Sequence, residues 1–170
     1  MNDSDIDWLS HNGKNRSVDP GQVIIHEGKP VDTLFIVLDG ELQVYSKNID
    51  VARLQSGEIV GEISFVDARP PLASVKALSK STVFAINAEL LRNKLAKDSQ
   101  FASRFYRALA VFLADRLRVT TSRFGYGRSD QDAMESSDPD ELHPELLESI
   151  DLAATRFDKL LRRISARTAS

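Results

Sequence analysis

The sequence predicts an α+β fold: an antiparallel β-sandwich or jelly roll with a short N-terminal helix and C-terminal helices. Two observations carry that expectation. From Gln22 to Ile86 the chain is a series of short β-branched or aromatic runs broken by turn residues, and after Ile86 its apolar residues recur at three- and four-residue steps. The first pattern is that of strands and the second that of helices. The strand candidates are Val23-Ile24-Ile25, Leu34–Leu38, Leu42–Tyr45, Val51–Leu54, Ser74–Leu78 and Thr82–Ile86. They follow one another at roughly ten-residue intervals, which is the spacing of a sandwich or jelly roll. Gly28, Gly40, Gly57 and Gly61 stand at the breaks, where turns demand them.

The helical elements follow from caps and periodicity. Ser4 to His11 reads as an entry helix whose apolar side is Ile6, Trp8 and Leu9, with Trp8 as a core or domain-junction anchor. Asn87 is a suitable N-cap for a helix through Glu89, Leu90, Leu91, Lys94 and Leu95. Asp98 or Ser99 then starts a long helix to about Phe124, with Phe101, Phe105, Leu109, Phe112, Leu113 and Leu117 on its apolar side. Arg104, Arg107, Asp115, Arg116, Arg118 and Arg123 occupy much of the rest, and Gly125-Tyr126-Gly127 stops it.

Beyond that stop, Arg128 to Asp140 mixes serines with aspartates and glutamates and holds too little apolar surface to pack. Pro144 opens a final helix in which Leu146, Ile150, Ala153, Phe157, Leu160 and Ile164 make a heptad seam. Three segments result: a domain at 1–127, an acidic linker at 128–143 and an amphipathic helix at 144–167. The terminal helix can fold back on its own domain or pair with another chain, and both readings stand.

Composition removes several function classes. The chain has 170 residues, 42% hydrophobic and 28% charged, with a net charge of −3 and no cysteine. A packed core is expected, while disulfides, thiolate metal sites and a cysteine nucleophile are not. The acidic balance argues against a nucleic-acid-coating surface. The opening residues Met1 to Asp7 lack the apolar run of a secretory signal, and no stretch is apolar enough to span a bilayer, so a cytoplasmic protein is expected. His11, His26 and His143 show no ligand spacing. There is no phosphate loop with Lys-Ser/Thr, no Gly-x-Ser-x-Gly elbow and no paired-histidine helix. No metal and no enzymatic activity are expected.

The chemistry concentrates at Val60-Gly61-Glu62-Ile63-Ser64-Phe65-Val66, followed by Ala73-Ser74-Val75-Lys76-Ala77. A Gly-Glu pair opening a short helix sets bare backbone beside one carboxylate. Exposed N–H groups there attract a phosphate, the carboxylate can accept from a ribose hydroxyl, and the returning strand offers a serine. This stretch resembles the phosphate-binding cassette of the cyclic-nucleotide-binding domain family. Upstream, Pro20-Gly21-Gln22-Val23-Ile24-Ile25-His26-Glu27-Gly28 and Leu34–Val44 with Asp39-Gly40-Glu41 are similar to the family's first hairpins. The resemblance runs from about Trp8 to about Gly127 and implies a cupin-like jelly roll whose last helix lids the pocket and pairs with a second subunit.

It also implies a ligand pocket formed by Gly61, Glu62, Ile63, Ser64, Arg69, Ser74 and Val75. Ile63 and Ser64 would contribute backbone N–H groups, and Ser74 would touch a phosphate or purine or else serve only strand pairing. One departure stands out. The family's phosphate-binding arginine falls on Pro71, within Pro70-Pro71-Leu72-Ala73-Ser74-Val75. Proline has neither charge nor N–H, and truncating a buried charged partner costs about 2–5 kcal/mol. Cyclic AMP or cyclic GMP binding is therefore expected to be weak or absent, with Arg69 the nearest substitute cation.

The leading functional expectation is a non-enzymatic sensor or regulatory module that relays pocket occupancy through its C-terminal helices. The alternative is a ligand-free degenerate domain acting as a structural or protein-interaction subunit, with Pro71 and Leu72 filling the phosphate space. A homodimer through the long helix is expected, with a protein partner at 144–167 as a further use. DNA is not an expected partner, because one helix after an acidic linker is too little for a helix-turn-helix.

Overall fold

A computed structural model describes residues 1–123 of the chain. The linker at 128–143, the glycine stop at 125–127 and the helix at 144–167 lie outside the described residues. The elements run α1 (Asp3–Asn12), β1 (Gly13–Val18), β2 (Val23–Ile25), β3 (Thr33–Asp39), β4 (Leu42–Ser46), β5 (Ile49–Leu54), β6 (Ile59–Val60), α2 (Glu62–Asp67), β7 (Ser74–Ala77), β8 (Ser81–Asn87), α3 (Ala88–Lys97) and α4 (Ser99–Arg123). The strands form two four-stranded antiparallel sheets, ordered β1-β8-β3-β6 and β2-β7-β4-β5. The antiparallel sandwich with a short N-terminal helix and C-terminal helices is thus the fold that the sequence predicts.

Three layers result, and β3 explains why. Leu34, Phe35, Ile36 and Val37 are all buried. Successive strand side chains face opposite ways, so a strand buried on both faces reads as a continuous apolar run rather than an alternation. Leu34 and Ile36 join Phe84 and Ile86 of β8 under the helices. Phe35 and Val37 face the other sheet, together with Val83, Leu42, Leu54 and Val75. The β1-β8-β3-β6 sheet is therefore the middle layer, with helices on one side and the second sheet on the other. The β3–β4 turn depends on Gly40, at φ +89°, because an added Cβ would lie 2.7 Å from the Ser81 backbone Cα.

The helices begin where their caps stand. Asn87 Oδ1 accepts from the Leu90 N–H at 2.9 Å, and Asp98 Oδ1 accepts from the Phe101 N–H at 2.9 Å. At the start of α1, Asn2 and Asp5 form a reciprocal capping box, a device the sequence reading did not include. Asp5 does more than cap. Its two carboxylate oxygens take the Arg104 guanidinium in a fork, at 2.7 and 2.8 Å, which ties α1 to α4. Trp8 packs edge-on against Phe101 with ring centroids 5.5 Å apart, so α1 and the root of α4 form one unit.

Burial alone pushes the Asp5 carboxyl up, but the Arg104 and Asn2 hydrogen bonds and the Arg104 charge hold it below its ordinary 3.8. A depressed acid stabilises the fold above its unfolded pKa, and this contribution is lost as pH falls through the folded value. Asp5→Asn, which keeps the cap acceptor and removes the charge, is expected to lower the melting temperature at pH 7 by a few degrees. Below the depressed carboxyl pKa the parent and variant should converge, as thermal melts across that range would show.

Candidate functional site

The site is built around one glycine. β6 enters Gly61, which takes φ +89° and ψ 4° at the N-cap of α2. That left-handed geometry favours glycine, and an added Cβ would come within 3.1 Å of the Thr33 carbonyl oxygen. The turn delivers Glu62, Ser64 and Phe65 to the interior and leaves Ile63 and Val66 exposed. Phe65 inserts among the helices, edge-on to Phe105 at 6.0 Å. α2 ends at Ala68, itself left-handed at φ 58°, whose N–H returns to the Ser64 carbonyl. The loop that follows carries Arg69, Pro70, Pro71 and Leu72 outward before β7 begins.

Between this turn and the β4–β5 hairpin lies a cavity of about 540 Å³. Apolar side chains dominate its wall: Val44, Val51 and Leu54 from the hairpin, Val60 and Val75 from the flanking strands, and Leu113 and Leu117 from α4. Its charged lining is Glu62, Asp67, Arg69 and Arg116. Such a volume, with an apolar wall and a few convergent polar groups, suits a small organic ligand.

Glu62 is 3% exposed, and a bare carboxylate would not survive there. Its partner comes from α4: Arg116 Nη1 donates to Glu62 Oε1 at 2.7 Å. The helix thereby crosses the cavity and bonds to the turn beneath it. Burial drives the Glu62 carboxyl above its ordinary 4.5, and the nearby Glu58 charge adds to this. The Arg116 guanidinium and the local N–H pull back without cancelling it.

The structure brings Gly61, Glu62, Ile63, Ser64, Arg69 and Val75 together on this one cavity. Pro71 lines it too, at the place where a phosphate-binding arginine is absent. Ser74 stands apart: its hydroxyl accepts from the Glu27 N–H at 2.9 Å and fastens the β2–β3 loop, and it is not part of the cavity wall. It follows Ala73 and precedes Val75, both of which face the cavity, and its own side chain is turned to that loop. Arg69 is exposed, and its backbone N–H is held by Asp67 Oδ1 at 2.9 Å.

The residue that sequence reasoning missed is Arg116, assigned there to the polar face of α4. A signal was present. Arg116 lies seven residues after Leu109 and four after Phe112, so it falls on the apolar stripe, where a charge needs a buried partner. Among the described residues no group of acidic or histidine side chains could hold a metal ion. No described helix is long and apolar enough to cross a membrane.

Residues 15–98 match the family model described as the cyclic nucleotide-binding domain. That stretch is a cyclic nucleotide-binding domain. A cyclic nucleotide-binding domain from Methylobacillus flagellatus superposes with a TM-score of 0.66 at 23% identity, over 72% of this chain and 72% of that one. The catabolite activator protein of Thermus thermophilus gives 0.58 at 22% identity, over 74% of this chain and 59% of the other. At those identities the likeness speaks for the fold. An uncharacterised NTE family protein of Mycobacterium tuberculosis is 27% identical over 124 residues, or 72% of this chain, yet the match spans only 21% of that relative's length. The stretch that matches this chain is therefore a small part of a much longer relative.

Proposed function

We propose that this cyclic nucleotide-binding domain is a non-enzymatic regulatory module, in which occupancy of the 540 Å³ cavity changes how α4 is seated. The observation that carries the reading is the Glu62–Arg116 ion pair, which joins the cavity floor directly to the helix that covers it. α4 is firmly rooted by the buried Phe101, Phe105 and Leu109. From Phe105 onward one side of it borders space: a second cavity of about 430 Å³ lies between Phe105, Leu109 and Phe112 and the middle sheet. A helix fixed at one end and loosely backed at the other can take two seatings. A ligand shifts their balance by its difference in affinity for them.

The output belongs to the outer side of α4. Tyr106, Ala110 and Leu117 recur at four- and seven-residue steps on its exposed side, with Tyr106 47% and Leu117 67% exposed, Leu117 standing where this side meets the cavity rim. This stripe supports a homodimer through the helix, and residues 144–167 would reinforce it or dock on a partner protein. The domain itself would end near 127, with 128–143 as a tether and the cytoplasm as its compartment.

A second reading has its own observation. Glu62 is already paired and Pro71 supplies no charge, so the cavity can be internally satisfied and the domain can act as a ligand-free interaction subunit. Thermal shift with cyclic AMP, cyclic GMP and cyclic dinucleotides, read together with hydrogen exchange of α4, decides between them. At 100 times its dissociation constant a ligand stabilises by about 2.7 kcal/mol. The module reading expects a shift accompanied by altered α4 protection, with cyclic AMP and cyclic GMP binding no tighter than about ten micromolar, given the missing buried cation. No shift with any of them, in the parent or in variants of the ion pair, would leave the interaction subunit.

A further inference from the structure

The geometry points to Arg116 as the group that recognises an anionic ligand, in competition with Glu62 for the same guanidinium. The cavity would take a small organic anion with an apolar body, and its cation would come from the lid helix rather than from the loop before β7. This rests on the regulatory-module reading and assigns its site a specificity residue.

Three observations converge. First, the loop offers no cation of its own at the critical place: Pro71 lines the cavity, and its carbonyl oxygen accepts from the Gly28 N–H at 2.9 Å. Second, of the two basic residues on the wall, Arg69 lies on the outer, exposed turn, whereas the Arg116 side chain is only 27% exposed and reaches the cavity floor. α2 itself has six residues, too few for its dipole to replace a full charge. Third, the Arg116 guanidinium is 2.7 Å from a carboxylate that burial already disfavours. Guanidinium binds carboxylate and phosphate through the same planar fork. Glu62 therefore occupies, from within the protein, the position an incoming oxyanion would take.

The charge balance gives the competition its sign. Glu62 and Asp67 oppose Arg69 and Arg116 on the cavity wall. Neutralising Glu62 leaves the cavity net positive and removes its carboxylate charge from beside the Arg116 guanidinium. Neutralising Arg116 leaves it net negative. If Glu62 served only as an acceptor for a ligand hydroxyl, its loss would weaken binding. If it competes for Arg116, its loss strengthens binding. The two roles predict opposite outcomes.

The test is isothermal titration of the full chain and its Arg116→Gln, Arg116→Lys and Glu62→Gln variants with cyclic AMP, and with adenosine as an uncharged probe, to millimolar concentration. Circular dichroism confirms that each variant is folded. The expected result is that Glu62→Gln binds cyclic AMP at least about tenfold more tightly than the parent, or binds it measurably where the parent does not. Arg116→Gln should bind at least about tenfold more weakly than Glu62→Gln, Arg116→Lys should fall between, and adenosine should not distinguish the chains.

Binding of cyclic AMP that is unchanged in Arg116→Gln, or weakened in Glu62→Gln, overturns the assignment, as does an absence of binding in both the parent and Glu62→Gln. Hydrogen exchange of α4 in the same samples separates the two levels. Cyclic AMP bound through Arg116 without any change in α4 protection would leave this assignment standing and refute the regulatory reading instead.

Discussion

Phe101→Ala is expected to lower the unfolding free energy by about 3–5 kcal/mol, the cost of emptying a buried aromatic site. Phe101 is 1% exposed. Its ring meets Trp8 edge-on at 5.5 Å and stacks on Phe105 at 6.0 Å, with the Lys94 ammonium 5.3 Å from its centroid. Aromatic partners held on two different helices cannot both follow a collapsing cavity, so the relaxation that moderates such losses is restricted. A single domain has about 5–15 kcal/mol of stability in total, so this one truncation removes a large part of it. Urea unfolding monitored by circular dichroism measures the loss. Ile49→Ala, at a side chain 68% exposed on β5, should change it by no more than about 0.5 kcal/mol. A Phe101 variant that unfolds with the parent would mean that the aromatic cluster does not root α4 on α1, and the fixed end proposed for that helix would rest on the Asp5–Arg104 fork, Phe105 and Leu109 instead.

How much of this was legible in the sequence depends on where each element draws its stability. β3 and β8 announced themselves through long apolar runs, because both are buried on two faces. α3 and α4 were readable from Asn87 and Asp98, whose side chains bond to N–H groups three residues on. β1 was not readable. Gly13–Val18 is Gly-Lys-Asn-Arg-Ser-Val, with one buried residue. It is a strand because it pairs with β8 from Gly13↔Ile86 to Val18↔Ser81, a tertiary fact that local propensity does not encode. β6, two residues long, is likewise a product of its partner β3.

The site divides in the same way. Gly61, Glu62, Ile63 and Ser64 are contiguous, so a local motif could show them. Ser74 was expected in the pocket, yet its hydroxyl is claimed by the loop at Glu27, and strand alternation leaves no short-range sign of that partner. Arg116 is 54 residues from Glu62. Its contribution could be suspected only from a charge sitting on an apolar stripe, and its partner only from the fold.

The Glu62–Arg116 pair also makes an asymmetric prediction for stability. Arg116→Met should destabilise the protein at pH 7 by about 2–3 kcal/mol, somewhat below the 3–5 kcal/mol of a fully buried pair because the guanidinium keeps some contact with water. Glu62→Gln should cost clearly less, since an arginine on a helix surface can turn its head to solvent, whereas a carboxylate at the cavity floor has nowhere to go. The pH dependence follows from the direction of the Glu62 shift. Burial raises this carboxyl above its ordinary 4.5 even with Arg116 present, and removing Arg116 takes away the main opposing influence. An acid whose folded pKa is raised binds more protons in the folded state, so stability falls as pH rises from the unfolded value through the folded one. The penalty of Arg116→Met is therefore small where Glu62 is protonated in both states and grows through the raised folded pKa, while Glu62→Gln/Arg116→Met loses this pH dependence altogether. Denaturant melts of the parent, both single variants and the double variant between pH 4 and pH 8 give the full cycle. An Arg116→Met penalty that is flat with pH would mean that it reflects altered packing of the side chain at position 116 rather than an uncompensated carboxylate, and Glu62 could then not be the internal competitor for an anionic ligand.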